Sequence, residues 1–70
     1  MKTIALVGCG RISERHLKVI SQMPGLKLVA VCDVQPLRAE AAGAAWNVPA
    51  FTDALAMVLA VRPDMVSILT

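Results

Sequence analysis

An α/β fold, a parallel sheet with helices on both faces, is what this 70-residue sequence predicts. Three observations carry the prediction. Apolar runs at residues 4–7, 26–32 and 65–69 have the near-continuous hydrophobicity of strands buried on both sides. The segments between them are amphipathic or alanine-rich and favour helix. The first strand passes directly into Gly8-Cys9-Gly10, a glycine turn of the kind that joins a strand to a helix.

Each element has its own justification. The first strand stops at Gly8, and a helix starts at Arg11 or Ile12 and runs to about Met23. Ile12, His16, Val19, Ile20 and Met23 fall at i, i+4, i+7, i+8 and i+11, which assigns them the buried face. Arg11, Glu14, Arg15, Lys18 and Gln22 take the solvent face. His16 is therefore expected to pack in the helix–sheet contact, away from the helix N-terminus, and not to act as a catalytic group. Pro24-Gly25 ends the helix.

After the second strand, Pro36 suits the first turn of a second helix, and residues 37–46 form its alanine-rich body. Gln35 is a poor N-cap, and Gly43 inside the helix costs about 1 kcal/mol relative to alanine. Asn47 can close the helix in the left-handed conformation. Val48-Pro49-Ala50-Phe51 is long enough only for a short edge strand, where Pro49 is tolerated. Thr52 caps a third helix with Asp53 in its first turn, Leu55, Val58 and Leu59 supply the buried face, and Arg62-Pro63 ends it. Asp64 precedes the last strand. The right-handed crossover rule turns this order into a parallel sheet covered on both faces, cut short after the fourth strand.

Composition narrows the function. The net charge is only +2, and the seven Lys and Arg residues are dispersed. Nucleic-acid binding calls for a concentrated basic stripe with stacking aromatics, and Trp46 and Phe51 are the only aromatics. No apolar run reaches the roughly 18 residues of a membrane span. The start, MKTIALVG, lacks a cleavage site and is needed as the first strand, which points to the cytoplasm. Cys9 and Cys32 sit at the ends of strands expected to be neighbours; a disulfide there is conceivable, but thiols stay reduced in the cytosol. No spacing of Cys or His suits a metal. A core of this size rarely supplies more than about 3 to 5 kcal/mol without a staple or a partner, so the chain reads as the front part of a larger protein. Its last strand would then present an open apolar edge, and a homo-oligomer is expected.

The chemistry lies in the turn. Gly8, Gly10 and Ser13 reproduce the dinucleotide fingerprint, glycine, any residue, glycine, two residues, then a small residue. Gly8 allows the tight exit from the strand, and Gly10 lets main-chain N–H groups approach a pyrophosphate. The open N-terminus of the helix adds a positive dipole end. Ser13 departs from the usual Gly or Ala, and its hydroxyl needs a partner if buried. Asp33 follows the second strand twenty residues after Ser13, where a Rossmann domain places the carboxylate that binds the adenosine ribose. A 2′-phosphate would meet this acid with no Lys or Arg at 34 or 35, so NAD is favoured over NADP, although a guanidinium at Arg38 could reach such a phosphate.

VGCGRISERHL, LVAVCDVQPLRAEAAGAAWNVPAFTD and RPDMVSILT together resemble the N-terminal part of the Gfo/Idh/MocA family of NAD(P)-dependent sugar oxidoreductases. The resemblance spans essentially the whole chain. It implies that the amides around Gly10, Arg11 and Ile12 hold the pyrophosphate, with Gly8 making the turn, and that Asp33 binds the ribose. It implies further that Arg38 lies near the adenine end and that Leu69 and Thr70 lie beside the cofactor. The family's catalytic lysine, in a Glu-Lys-Pro motif, and its downstream histidine would fall beyond Thr70, so these residues hold the cofactor-binding part of a dehydrogenase and none of its catalytic groups. The implied substrate is a sugar or sugar derivative, nucleotide-linked in some relatives. Two other readings share the glycine turn and the acid: a non-catalytic NAD(P)-sensing regulator of the same fold, and an S-adenosylmethionine-dependent methyltransferase.

Overall fold

Alternating strands and helices joined by links of a few residues leave the strands no arrangement but parallel pairing through crossovers. The computed structural model describes residues 1–69, apart from the side chain of Ile12. In chain order it contains β1 (Lys2–Val7), α1 (Arg11–Gln22), β2 (Leu26–Cys32), α2 (Pro36–Trp46), β3 (Ala50–Phe51), α3 (Ala54–Val61) and β4 (Met65–Ile68). The strands form one sheet in the order β3-β2-β1-β4, and every neighbouring pair is parallel. This is the α/β architecture that the apolar runs predict.

The core lies on the two faces of β1 and β2. On one face Leu6 and Val31 meet Leu17 of α1, with Ala42 and Trp46 of α2 packed around them. On the other, Ala5, Ala30 and Cys32 meet Met57 of α3. A register shift between Ile4 and Ala5 makes both faces possible, pairing Ile4 with Leu28 but Ala5 with Ala30. Strict alternation would place Leu28 on the side of Ala30 and Cys32; the extra residue, Val29, moves it to the Leu6 side.

The helices turn differently from the expected stripes. Among the described side chains of α1, Ser13, Leu17 and Ile20 are buried, Ile20 as expected, whereas His16 is exposed and Val19 and Met23 are about half exposed. The turn at Gly8 to Gly10 sets the phase of α1: the third fingerprint position must face the sheet, and Leu17 and Ile20 follow it at i+4 and i+7. His16 is therefore not the packing histidine that its place among apolar residues suggested. In α3 the buried residue is Met57, with Val61 packed nearby, while Leu55 and Leu59 are exposed. Asp53, not Thr52, caps α3, its Oδ1 accepting from Leu55 N at 2.9 Å and Ala56 N at 3.3 Å.

The remaining punctuation follows the residues. Pro36 opens α2, Asn47 closes it at φ 55°, and Arg62 closes α3 at φ 46°. Gly43 has a packing reason that helix propensity hides: a Cβ there would lie 2.8 Å from the Val48 carbonyl oxygen and 3.1 Å from the Ala50 methyl. The residue lets α2 sit directly on the chain leading into β3. β4 is an edge strand in these residues, and Met65, Val66 and Ile68 are all substantially exposed.

Candidate nucleotide-binding site

The site is built where β1 ends between β2 and β4. Gly8 has φ +100°, a conformation that disfavours any side chain, and a Cβ on it would overlap the Leu69 carbonyl oxygen. Its N–H donates to the Cys32 carbonyl at 2.8 Å. The fold itself therefore demands glycine at position 8. Gly10 is different. Its backbone, φ −78° and ψ −167°, suits any residue, and the nearest group to a Cβ there is the Arg38 Nη1 at 3.9 Å. Nothing among the described residues requires glycine at position 10.

Gly10 is also the N-cap of α1, and among the described residues no side chain caps it. At α3, by contrast, the Asp53 carboxylate performs that task. The positive end of α1 therefore faces the space in front of the turn. Ser13 answers the question raised by its hydroxyl: it is buried, and Oγ donates to the Gly10 carbonyl at 2.5 Å. Serine at the third fingerprint position is thus satisfied locally and leaves the turn closed.

Asp33, buried at the end of β2, ties the site together. Its Oδ2 accepts from Cys9 N at 2.7 Å and its Oδ1 from Gln35 N at 2.8 Å. One carboxylate thus joins the glycine turn to the β2–α2 loop. The Gln35 and Cys9 amides, with a smaller contribution from the Arg38 guanidinium, hold its pKa below the ordinary value against the opposing effect of burial. Each oxygen keeps a lone pair for a further donor such as a ribose hydroxyl.

These groups border a cleft of about 630 Å³. The glycine turn forms its floor, with Arg11 and Ser13 of α1, Asp33 and Arg38 on the β2 side, and Ile68 and Leu69 at the end of β4. Six of the predicted positions, Gly8, Gly10, Arg11, Asp33, Arg38 and Leu69, line this one cleft. Thr70 and the side chain of Ile12 lie outside the described residues. Ser13 and Ile68 also line the cleft and were absent from the predicted set; the fingerprint spacing marks Ser13, and adjacency to Leu69 marks Ile68.

Cys9 packs on the Leu6 face and Cys32 on the Ala5 face, and both thiols are free. Cys9 Sγ donates to the Cys32 carbonyl at 3.3 Å, and burial, followed by the Asp33 charge, pushes its pKa up. No group of three or more His, Cys, Asp or Glu among the described residues could hold a metal ion. Among the same residues no helix is long and apolar enough to cross a membrane.

A parallel sheet whose first strand ends in a glycine turn, with an uncapped helix and an acid at the end of the next strand, defines a nucleotide-binding domain of the Rossmann class. Residues 2–70 match the model of the oxidoreductase family with an NAD-binding Rossmann fold, and the chain belongs to that family, Gfo/Idh/MocA. It is 40% identical over 67 residues to a D-apiose dehydrogenase of Paraburkholderia graminis, covering 94% of this chain and 18% of that protein. It is 36% identical over 67 residues to a D-glucoside 3-dehydrogenase of Escherichia coli, covering 93% of this chain and 19% of that protein. The WlbA dehydrogenase from Bordetella pertussis, solved in complex with NADH and UDP-GlcNAcA, superimposes with a TM-score of 0.91 at 34% identity, over 99% of this chain and 22% of that one. The chain thus spans about a fifth of the length of these relatives.

Proposed function

We propose that these residues form the N-terminal part of the cofactor domain of an NAD-dependent dehydrogenase acting on a sugar or sugar derivative, with the catalytic groups in a further domain. The observation that carries the reading is the pairing of Gly10 and Asp33 across one cleft. A glycine the fold does not need stands beside an uncapped helix N-terminus, opposite a carboxylate with acceptor capacity to spare. The amides of the first turn of α1 would receive the pyrophosphate, with Arg11 adding charge at the rim. Asp33 would accept from the ribose hydroxyls, Arg38 would flank the adenosine end, and Ile68 and Leu69 would bound the other side.

Bound NAD supplies a two-electron hydride acceptor or donor. The contribution of these residues is to hold it in place and to select it. An ionised Asp33 disfavours a 2′-phosphate, and Val34 beside it is exposed and uncharged. The names of the similar dehydrogenases support a sugar substrate, and WlbA supports a nucleotide-linked one in particular. The reading carries with it a homo-oligomer and a cytoplasmic location, where the free thiols of Cys9 and Cys32 stay reduced.

Calorimetric titration with NADH, NADPH and S-adenosylmethionine tests the proposal. The expected order is NADH tightest, NADPH at least roughly tenfold weaker, a difference of about 1.4 kcal/mol, and no heat from S-adenosylmethionine. Binding of S-adenosylmethionine alone would overturn it.

A further inference from the structure

The root of β4, at the far end from the cleft, carries a side-chain clasp. Thr3 at the start of β1 and Asp64 just before β4 make three hydrogen bonds: Thr3 N donates to Asp64 Oδ2 at 2.8 Å, Thr3 Oγ donates to the same oxygen at 3.1 Å, and Asp64 N donates to Thr3 Oγ at 2.9 Å. The pair sits one step before the first strand pair, Ile4 with Met65, and continues its register. These are the most sequence-distant side-chain hydrogen bonds among the described residues, joining positions 61 apart.

β4 has little else to set that register. It pairs with β1 alone, over four residues, and Met65, Val66 and Ile68 are 43%, 41% and 67% exposed. A strand without a well-buried face is weakly specified and prone to slip. At its other end the register is critical. Leu69 N donates to the Val7 carbonyl at 2.9 Å, and the Leu69 carbonyl oxygen occupies the space in which a Cβ on Gly8 would sit. Ile68 and Leu69 are also a wall of the cleft. A slip of one residue would exchange the faces of both wall residues and move a different carbonyl onto the turn.

We infer that Thr3 and Asp64 are a remote positioning pair for the nucleotide cleft: their clasp fixes the register of β4 so that Ile68 and Leu69 close against the glycine turn. The inference rests on the nucleotide-binding reading of the cleft. It assigns a role to a threonine and an aspartate that the dinucleotide fingerprint does not contain. Neither residue touches the cleft, so their effect on the cofactor passes through the strand.

The test is NADH affinity together with amide hydrogen exchange at Leu69, in the wild-type chain and in Thr3→Val, Thr3→Ser and Asp64→Asn. Thr3→Val removes two of the three bonds with little change of shape and should raise the Kd for NADH roughly three- to tenfold while accelerating Leu69 exchange. Thr3→Ser, which keeps the hydroxyl, should restore both to near wild type. Asp64→Asn should fall between them. Wild-type affinity and wild-type Leu69 protection in Thr3→Val would overturn the inference. So would equal loss in Thr3→Val and Thr3→Ser, because the hydroxyl would then be irrelevant. If the wild type itself fails to bind NADH, the nucleotide reading falls, and Leu69 protection across the same variants still decides whether the clasp sets the register.

Discussion

Two glycines of one turn answer to different constraints. Gly8 is required by the chain, through its positive φ and the Leu69 carbonyl against it, so Gly8→Ala should destabilise the fold by roughly 2 kcal/mol or more and weaken NADH binding as well. At Gly10 the described residues leave room for a side chain, and on the proposed reading the glycine serves the cofactor. Gly10→Ala should leave stability within about 0.5 kcal/mol of wild type in urea denaturation, yet lower NADH affinity more than about tenfold, since its new methyl would stand where the proposed site receives the phosphates. Asp33 adds a pH dependence. A carboxyl whose folded pKa lies below its unfolded value stabilises the fold above that unfolded value and loses the contribution progressively as pH falls from there through the folded value. Stability should therefore decline below about pH 4, and Asp33→Asn should flatten the decline measured by urea midpoints across pH. Asp64 acts in the same direction, so the difference between wild type and Asp33→Asn isolates Asp33.

Within single elements, backbone placement was legible in the residues and side-chain phase was not. Strand β2, Pro36 at the start of α2, Asn47 at its end and the Arg62-Pro63 stop all follow from local chemistry, and the structure has each in place. The buried face of α3 was misassigned because every residue of that helix is apolar, and that of α1 was misassigned in part because Val19 and Leu17 border its apolar stripe on opposite sides. Ile20 was read correctly, but periodicity alone put His16 and Val19 beside it in place of Ser13 and Leu17, whereas the fingerprint marks Ser13 because its third residue must face the strand. Gly43 carries the same lesson. Its cost to an isolated helix is plain from sequence, but the contact with Val48 and Ala50 that requires it depends on how α2 meets β3. Gly43→Ala should therefore destabilise the protein by roughly 1 to 3 kcal/mol in chemical denaturation, reversing the sign expected from helix propensity. The cleft was legible for a related reason: a spacing of residues predicts where the turn and the acid meet, although the carboxylate's bonds to Cys9 and Gln35 emerge only in three dimensions.

Across the whole molecule, the sheet is finished on one side and open on the other. Its β3 end is a two-residue strand, while among the described residues the β4 end presents an unpaired edge with exposed Met65, Val66 and Ile68. Such an edge invites pairing with another chain. The 70-residue chain should therefore associate in a concentration-dependent way in sedimentation velocity, and Val66→Lys should shift it toward monomer. A compact monomer at all concentrations would remove the edge as an association surface.

The most direct test of the cofactor site is a backbone amide map of the chain titrated with NADH. The largest shifts should fall at Gly10, Arg11 and Ser13, with a second set at Asp33 to Gln35 and at Leu69. Shifts confined to the separate groove between α1 and α2, around Leu37, Ala45 and Trp46, with the glycine turn unmoved, would contradict this assignment of the site.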